Sequence, residues 1–471
     1  MSVPQCGVSS AATAADAPRD VAVTPHRQPH LSLLFSRDTM KPIPTDSNLF
    51  ISNRNRLRGL LPANSVAVVH SNDILPTNAD GSLPHFQNAD LYYLTGILQE
   101  ESILVIAPDA FEERNREILF LREPNELALI WEGHKLSKGE GTQISGIRTI
   151  KWLSDFPTVF RQLMCESEHV FLNSNEHARA VDEVETREWR FTRECQRKYP
   201  LHQYHRLARL MHALRVVKQP QEIELIRKAC QITGQGFRRL LSFVKPGVNE
   251  CEVEAELIHE FTRHRATWAY NPIIATGVNN CVLHYNVNDQ VCQEGQLLLL
   301  DVAAAYGQYA SDLTRTIPVS GRFTPRQRAV YDAVLRIFRG VRSQMRPGKT
   351  TRDLRLETER LAEQELLSLG LLKAEDVARQ DPENPLLKKY FMHGVAHPLG
   401  LDVHDVGFPR APIAPGWVLT CEPALYIREE GFGVRLENDI LVTDGEPIDL
   451  MADIPIEAEE IEDLMARRQT A

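Results

Sequence analysis

The chain has 471 residues, 43% of them hydrophobic and 25% charged, which is too long for one ordinary core and typical of a globular protein of about two domains. Its mean hydropathy of −0.29 requires neither a membrane nor a low-complexity class. A net charge of −10, from 53 basic and 63 acidic residues, argues against nucleic-acid binding, which needs clustered Lys and Arg to meet phosphates.

The eight cysteines show no Cys-x-x-Cys pair and no framework spacing, so neither a zinc knuckle nor a disulfide scaffold is indicated, and a reducing cytoplasm is expected. In the first forty residues the only apolar run, Leu31 to Phe35, is too short for a signal-peptide core. Asp16, Asp20 and Asp38 balance Arg19, Arg27 and Arg37, unlike a transit peptide. Residues 1–45 therefore read as a disordered extension, or as an over-long start ahead of an initiator at Met40.

From Leu60, short apolar runs such as Ser65–Val69 and Ser102–Ala107 alternate with polar or helical stretches, predicting a smaller α/β domain over residues 46–205. Residues 176–215 are a charged stretch of two helical segments broken at Pro200, where the domain connection is expected. His202, His205 and His212 lie there at helical spacing. No acid or thiolate converges with them, so they are expected on a solvated helix face and not at a metal.

The second domain, residues 206–471, opens with Pro220 at a helix start and Ile223, Ile226, Ala229 and Ile232 on one face, stopping near Lys245–Gly247. A helix over Glu252–His264, two more between Pro325 and Gly370, and strand-rich text from His393 to Val442 follow. Without βαβ alternation, this predicts an α+β fold with a largely antiparallel sheet backed by helices. No Gly-rich phosphate loop and no short repeat is visible.

The chemistry concentrates in this half. Leu297–Leu300 and Asp301 form a buried strand, Gly307 lies in a turn, and Asp312 follows on a returning strand. A turn centred on Tyr306–Gly307 sets Asp301 opposite Asp312 on one face. Two facing carboxylates after four leucines are destabilising unless something positive compensates, and a metal ion would. His397, Glu422 and Glu437 lie in three further polar clusters within apolar text. One imidazole and four carboxylates make an oxygen-rich donor set, enough for two divalent ions about 3.5–4 Å apart.

Asn280–Tyr285, Asp301–Pro318, His393–Gly407, Leu419–Ile427 and Val434–Ile440 resemble the pita-bread metallopeptidases, specifically the Xaa-Pro aminopeptidase (aminopeptidase P) branch, with prolidase close by. Asn88–Gly96 and Leu129–Leu136 resemble that family's creatinase-like N-terminal domain, so the likeness covers nearly everything after the first 45 residues. Departures are small: Ala303 where Gly is common, Cys421 before the Glu, and Ala424 after the Pro.

The resemblance implies two metal ions, manganese by preference, with cobalt or zinc also accepted by such sites. It makes Asp301 a ligand of one ion, Asp312 and Glu437 bridges, and His397 and Glu422 ligands of the other. Such ions acidify water near neutral pH and polarise the scissile carbonyl, with Glu422 shuttling the proton. His404 is implied as donor to the oxyanion, and His284 and His393 as pocket walls, against a purely structural hydrogen-bonding role. Arg435 holds a ligand or the substrate, or is a plain ion pair. Trp131 reaches a neighbouring subunit's site in a homo-oligomer, or packs in the core.

The implied activity is release of the N-terminal residue from peptides with proline second. A prolidase-type dipeptidase uses the same ligands. A non-catalytic pita-bread binding protein is the reading of another class; such proteins lose ligands and often carry basic tails, and here all five ligands are present and the end is acidic, Glu457–Asp463.

Overall fold

The computed structural model describes residues 45–180, 183–408 and 410–467. The expected disorder of residues 1–45 falls, except for Thr45, outside the described residues.

The first half builds a six-stranded mixed sheet from β1 (Ser65–His70), β2 (Ile103–Ile106), β3 (Glu117–Leu121), β4 (Thr149–Trp152), β5 (His169–Leu172) and β6 (Gln203–Arg206), in the order β4-β3-β2-β1-β5-β6. Helices α1 (Ser47–Arg58), α2 (Ala89–Thr95), α3 (Glu126–Trp131), α4 (Lys138–Ser145), α5 (Phe156–Glu166) and α6 (Arg187–Lys198) accompany it. The apolar runs are continuous because both faces of the sheet are covered. Val66, Val68, Val105 and Phe120 pack with Phe160, Leu163 and Phe191 on one side. Ala67, Val69, Leu104 and Leu119 join the core that continues into the second half.

The charged stretch departs from its expected form. Its second segment is not one helix: β6 precedes α7 (Leu207–Arg215). His205 is a strand residue, its ring stacked on Phe171 at 4.8 Å and 3.0 Å from the His169 imidazole. His202 reaches the Met164 carbonyl at 2.8 Å, and only His212 lies on a helix. Pro200 ends the helical run, and the residues after it find an unpaired sheet edge beside β5.

In the second half, Pro220 opens the long α8 (Pro220–Phe243), with Gln219 and Glu222 forming a capping box, and α9 (Glu250–Arg263) follows. Two further helices, α10 (Pro325–Ser343) and α11 (Thr351–Ser368), also start on capping boxes. The strands are β7 (Thr267–Trp268), β8 (Ile273–Thr276), β9 (Leu297–Asp301), β10 (Ala304–Tyr306), β11 (Tyr309–Ala310), β12 (Thr314–Pro318), β13 (Val418–Cys421), β14 (Ala424–Ile427), β15 (Phe432–Arg435), β16 (Asn438–Leu441) and β17 (Ile448–Asp449). Every pairing among them is antiparallel.

Strand β9 lies between β8 and β12. Leu297–Leu300 are all buried, each contributing about 1.5–3 kcal/mol, and they deliver Asp301 to the edge of the core. The register differs from expectation by two residues: Asp301 faces Thr314, not Asp312. The turn centres on Gly307 and Gln308, both at positive φ (56° and 69°), as a two-residue hairpin with the sheet's twist requires, and Tyr306 pairs with Tyr309. A shift of two keeps the face, so Asp301 and Asp312 are diagonal neighbours on one side of the hairpin.

Among the described residues, no helix is long and apolar enough to cross a membrane.

Candidate metal centre

Three pieces of backbone bring the predicted ligands together. The hairpin carries Asp301 and Asp312. Residues 395–399 run along β13, with Glu422 N–H donating to the Val395 carbonyl at 2.9 Å and Thr420 N–H to the His397 carbonyl at 3.0 Å, which sets His397 beside Glu422. The link between β15 and β16 bridges to β12 at Thr314, where Glu437 N–H donates to the Thr314 carbonyl at 3.1 Å.

Asp312, His397 and Glu437 each offer a donor atom within 4.8 Å of the others. His397 Nε2 is 3.5 Å from Asp312 Oδ2 and 3.7 Å from Glu422 Oε1. Thr314 donates its hydroxyl hydrogen to Glu437 Oε2 at 2.6 Å. Asp301 joins through Tyr270, whose hydroxyl lies 2.6 Å from Oδ1 of both Asp301 and Asp312. Arg435 is buried: Nη2 donates to Asp301 Oδ2 at 2.5 Å, Nη1 to the Tyr426 hydroxyl at 2.8 Å and Nε to Thr314 Oγ1 at 3.1 Å. The Asp301 contact is an ion pair with one of the candidate ligands.

His393 Nε2 lies 2.9 Å from the Tyr426 hydroxyl and Nδ1 3.6 Å from Glu422 Oε2. Burial, then the charge of Arg435, pushes its imidazole down to about 4. His404 packs edge-to-face on His397 with ring centroids 4.3 Å apart, and Arg179 comes within 3.3 Å of both its ring nitrogens. Burial and the charges of His397 and Arg179 likewise hold His404 near 4. His284 is exposed and near enough to His393 for its charge to act on that ring. Trp131 is not in the core: it is 79% exposed at the end of α3.

The sequence reading missed Tyr270, Tyr426, Thr314 and Asp439, which accepts the Asp312 N–H at 3.0 Å. For Tyr426 the signal available was its nearness to Glu422, since it lies on the strand that begins two residues after that acid. Tyr270 carries no such mark, its hydroxyl finding its partners only through the fold.

Residues 224–444 match the family model for metallopeptidase family M24, and residues 50–171 match the aminopeptidase P, N-terminal domain. Over 443 residues the chain is 34% identical to the Xaa-Pro aminopeptidase of Escherichia coli (strain K12), covering 89% of this chain and 98% of the relative. The chain belongs to the aminopeptidase P family of M24 metallopeptidases.

Solved aminopeptidase P structures share its fold, so the second half is the pita-bread fold of that family. The Pseudomonas aeruginosa aminopeptidase PepP is similar at a TM-score of 0.82 and 29% identity, covering 92% of this chain and 100% of that one. The E. coli aminopeptidase P with the inhibitor Pro-Leu is similar at 0.80 and 31%, covering 91% and 100%.

Aminopeptidase P enzymes are metallopeptidases, and the donor set of this member fits divalent ions. The Tyr270 hydroxyl has one hydrogen, so it satisfies one of its two carboxylate neighbours and leaves the other needing a proton or a cation. Burial pushes the Glu437 carboxyl well above its usual range, with Asp312 and Glu422 adding to the push. Burial also raises Asp301, against the pull of Arg435. Burial disfavours the His397 cation, but Asp312 and Glu422 hold it up at about 9. Burial and mutual repulsion thus favour the protonated acids in the metal-free chain, and divalent ions would relieve the same repulsion.

Proposed function

We propose that this enzyme releases the single N-terminal residue from peptides whose second residue is proline, longer peptides as well as dipeptides. The observation that carries the reading is the convergence of Asp312, His397 and Glu437 within 4.8 Å, with Asp301 and Glu422 at its margins. These five residues would hold two divalent ions, manganese by preference and cobalt or zinc in substitution. Bound there, such ions supply an acidified water nucleophile and a polarised scissile carbonyl.

The protein's own groups do the rest. Glu422, the most exposed of the ligand carboxylates with 19% of its side chain accessible, passes the proton from water to the leaving nitrogen. His404, a half-buried imidazole pushed towards its neutral form by partial burial and nearby cations, donates a hydrogen bond to the tetrahedral oxyanion. His393, fixed on Tyr426, and His284 at the rim wall the pocket. Proline has no imide hydrogen and a fixed ring, so recognition rests on fit around the ring. Arg435 keeps Asp301 oriented for metal.

Assembly into a homo-oligomer is part of the proposal. Leu127, Leu129, Ile130 and Trp131 are 60–79% exposed on one short helix, an apolar run suited to a second copy. The proposed domains are residues 46–205 and 206–471, and the proposed location is the cytoplasm, on composition alone. The similarity along nearly the whole chain to proteins named Xaa-Pro aminopeptidase favours this activity over the dipeptidase and non-catalytic readings.

Elemental analysis after manganese loading tests the centre: about two ions per chain are expected, with activity lost to chelator and restored by metal. Less than one ion, with activity indifferent to chelator, contradicts the reading.

A further inference from the structure

Between His397 and His404 the chain makes a tight loop whose base is tied to neighbouring strands, Leu399 N–H donating to the Val418 carbonyl at 3.0 Å and Ala310 N–H to the Gly400 carbonyl at 2.8 Å, and whose tip has few backbone bonds. Asp405 N–H donates to the Pro398 carbonyl at 2.9 Å and Gly400 N–H to the Asp402 carbonyl at 3.1 Å. Among the described residues, the N–H groups of residues 401–404 make no backbone hydrogen bond. His404 sits at this poorly tied tip, yet its ring meets His397 at 4.3 Å and 89°.

What fixes the tip is a buried charge cluster outside the metal centre. Arg215, the last residue of α7, is 4% exposed. Its Nη2 donates to Asp402 Oδ2 at 2.7 Å and to Asp405 Oδ1 at 2.5 Å, so one nitrogen grips an acid on each side of His404. Its Nη1 donates to Asp90 Oδ1 at 2.8 Å, on α2 of the first half, and Asn173 holds the other oxygen of Asp90 at 2.9 Å. Lys218 Nζ donates to Asp405 Oδ2 at 3.0 Å. The packing leaves no slack, since a Cβ on Gly400 would come within 2.1 Å of Asp405 Oδ2.

We propose that Arg215 is a positioning residue for His404, gripping the loop through Asp402 and Asp405 and anchoring it to the N-terminal half through Asp90. The inference rests on the oxyanion role proposed above for His404. A planar guanidinium presents donors in a rigid fork and reaches all three carboxylates at once, whereas an ammonium is a point charge. Arg215→Lys therefore keeps the charge and loses the geometry.

The test is a double-mutant cycle on the manganese-loaded full chain, with kcat, KM and metal content measured for Arg215→Lys, His404→Ala and the double variant. Arg215→Lys is expected to lower kcat at least about tenfold with KM and metal content little changed, and to add no more than about twofold once His404 is Ala. A merely structural role would instead multiply the two losses. Asp402→Asn, at the more exposed end of the cluster, gives the same pattern in milder form and decides the matter if Arg215→Lys does not fold. Undiminished kcat in the folded Arg215 or Asp402 variant, or fully multiplicative losses, overturns the inference. An unaffected His404→Ala overturns it too, and identifies the reading of His404 as the step that failed.

Discussion

Replacing Glu422 by Gln is expected to stabilise the metal-free protein at pH 7 while weakening its response to metal. Burial pushes the Glu422 carboxyl from its ordinary 4.5 up to about 7, against the pull of His397 and with the push of Asp312. At pH 7 the unfolded chain has released this proton and the folded chain still holds about half of it, so folding carries a cost on the order of 3 kcal/mol. The raised carboxyl favours the unfolded state fully above the folded value, and the cost shrinks as pH falls through 7 and is gone below 4.5. Gln keeps the shape without the charge and removes the cost. Metal reverses the order, because a ligand at a hundred times its Kd stabilises by about 2.7 kcal/mol and the variant has lost one donor. Urea unfolding of chelator-stripped wild type and Glu422→Gln, with and without manganese, reads both effects. The variant should be the more stable without metal at pH 7, nearly level at about pH 4, and the less stable with metal. If the stripped wild type were the more stable at pH 7, the protein would already compensate its own carboxylates, and the physical basis for a metal requirement would fail.

Asp312→Ala and Glu437→Ala should each abolish turnover and lower metal content, since each is assigned to both ions; elemental analysis showing two retained ions in either would contradict the bridging assignment. Gln308→Gly should raise stability by up to about 1 kcal/mol in thermal unfolding, because a Cβ in the left-handed region is strained, and a loss of stability would place the strain elsewhere. Trp131→Ala, at an exposed position, should leave the chain's own folding within about 0.5 kcal/mol but lower the mass seen by light scattering. A wild-type monomer with full activity on long peptides would remove the assembly role.

The cluster of acids around His397 was legible in the sequence where chemistry forced it. An aspartate behind four leucines needs compensation wherever the strand pairs, so Asp301 stood out although the register was two residues off. The error arose at Tyr306–Gly307, where one glycine suggested the turn centre. The hairpin instead takes Gly307 and Gln308 into positive φ, a cost for Gln308 that the buried ladder beyond it outweighs. His205 was misplaced because helical spacing on a short charged stretch says nothing of an open sheet edge waiting beside β5. Tyr270 and Tyr426 were passed over for a different reason: a tyrosine in apolar text reads as core, and the hydroxyl partners Asp301 and Asp312 of the one and His393 of the other come from separate segments of the chain. The Arg215 cluster likewise joins residues 90, 215, 402 and 405, which no local pattern connects.

The most direct test of the central claim is a side-by-side assay of the manganese-loaded enzyme on Xaa-Pro-Yaa peptides, Xaa-Pro dipeptides and matched Xaa-Ala-Yaa peptides, following each released amino acid separately. Free Xaa from the longer proline peptides, with the Ala series cut far more slowly, is the predicted result. Cleavage of the dipeptides alone, or equal cleavage of the Ala and Pro series, would contradict it.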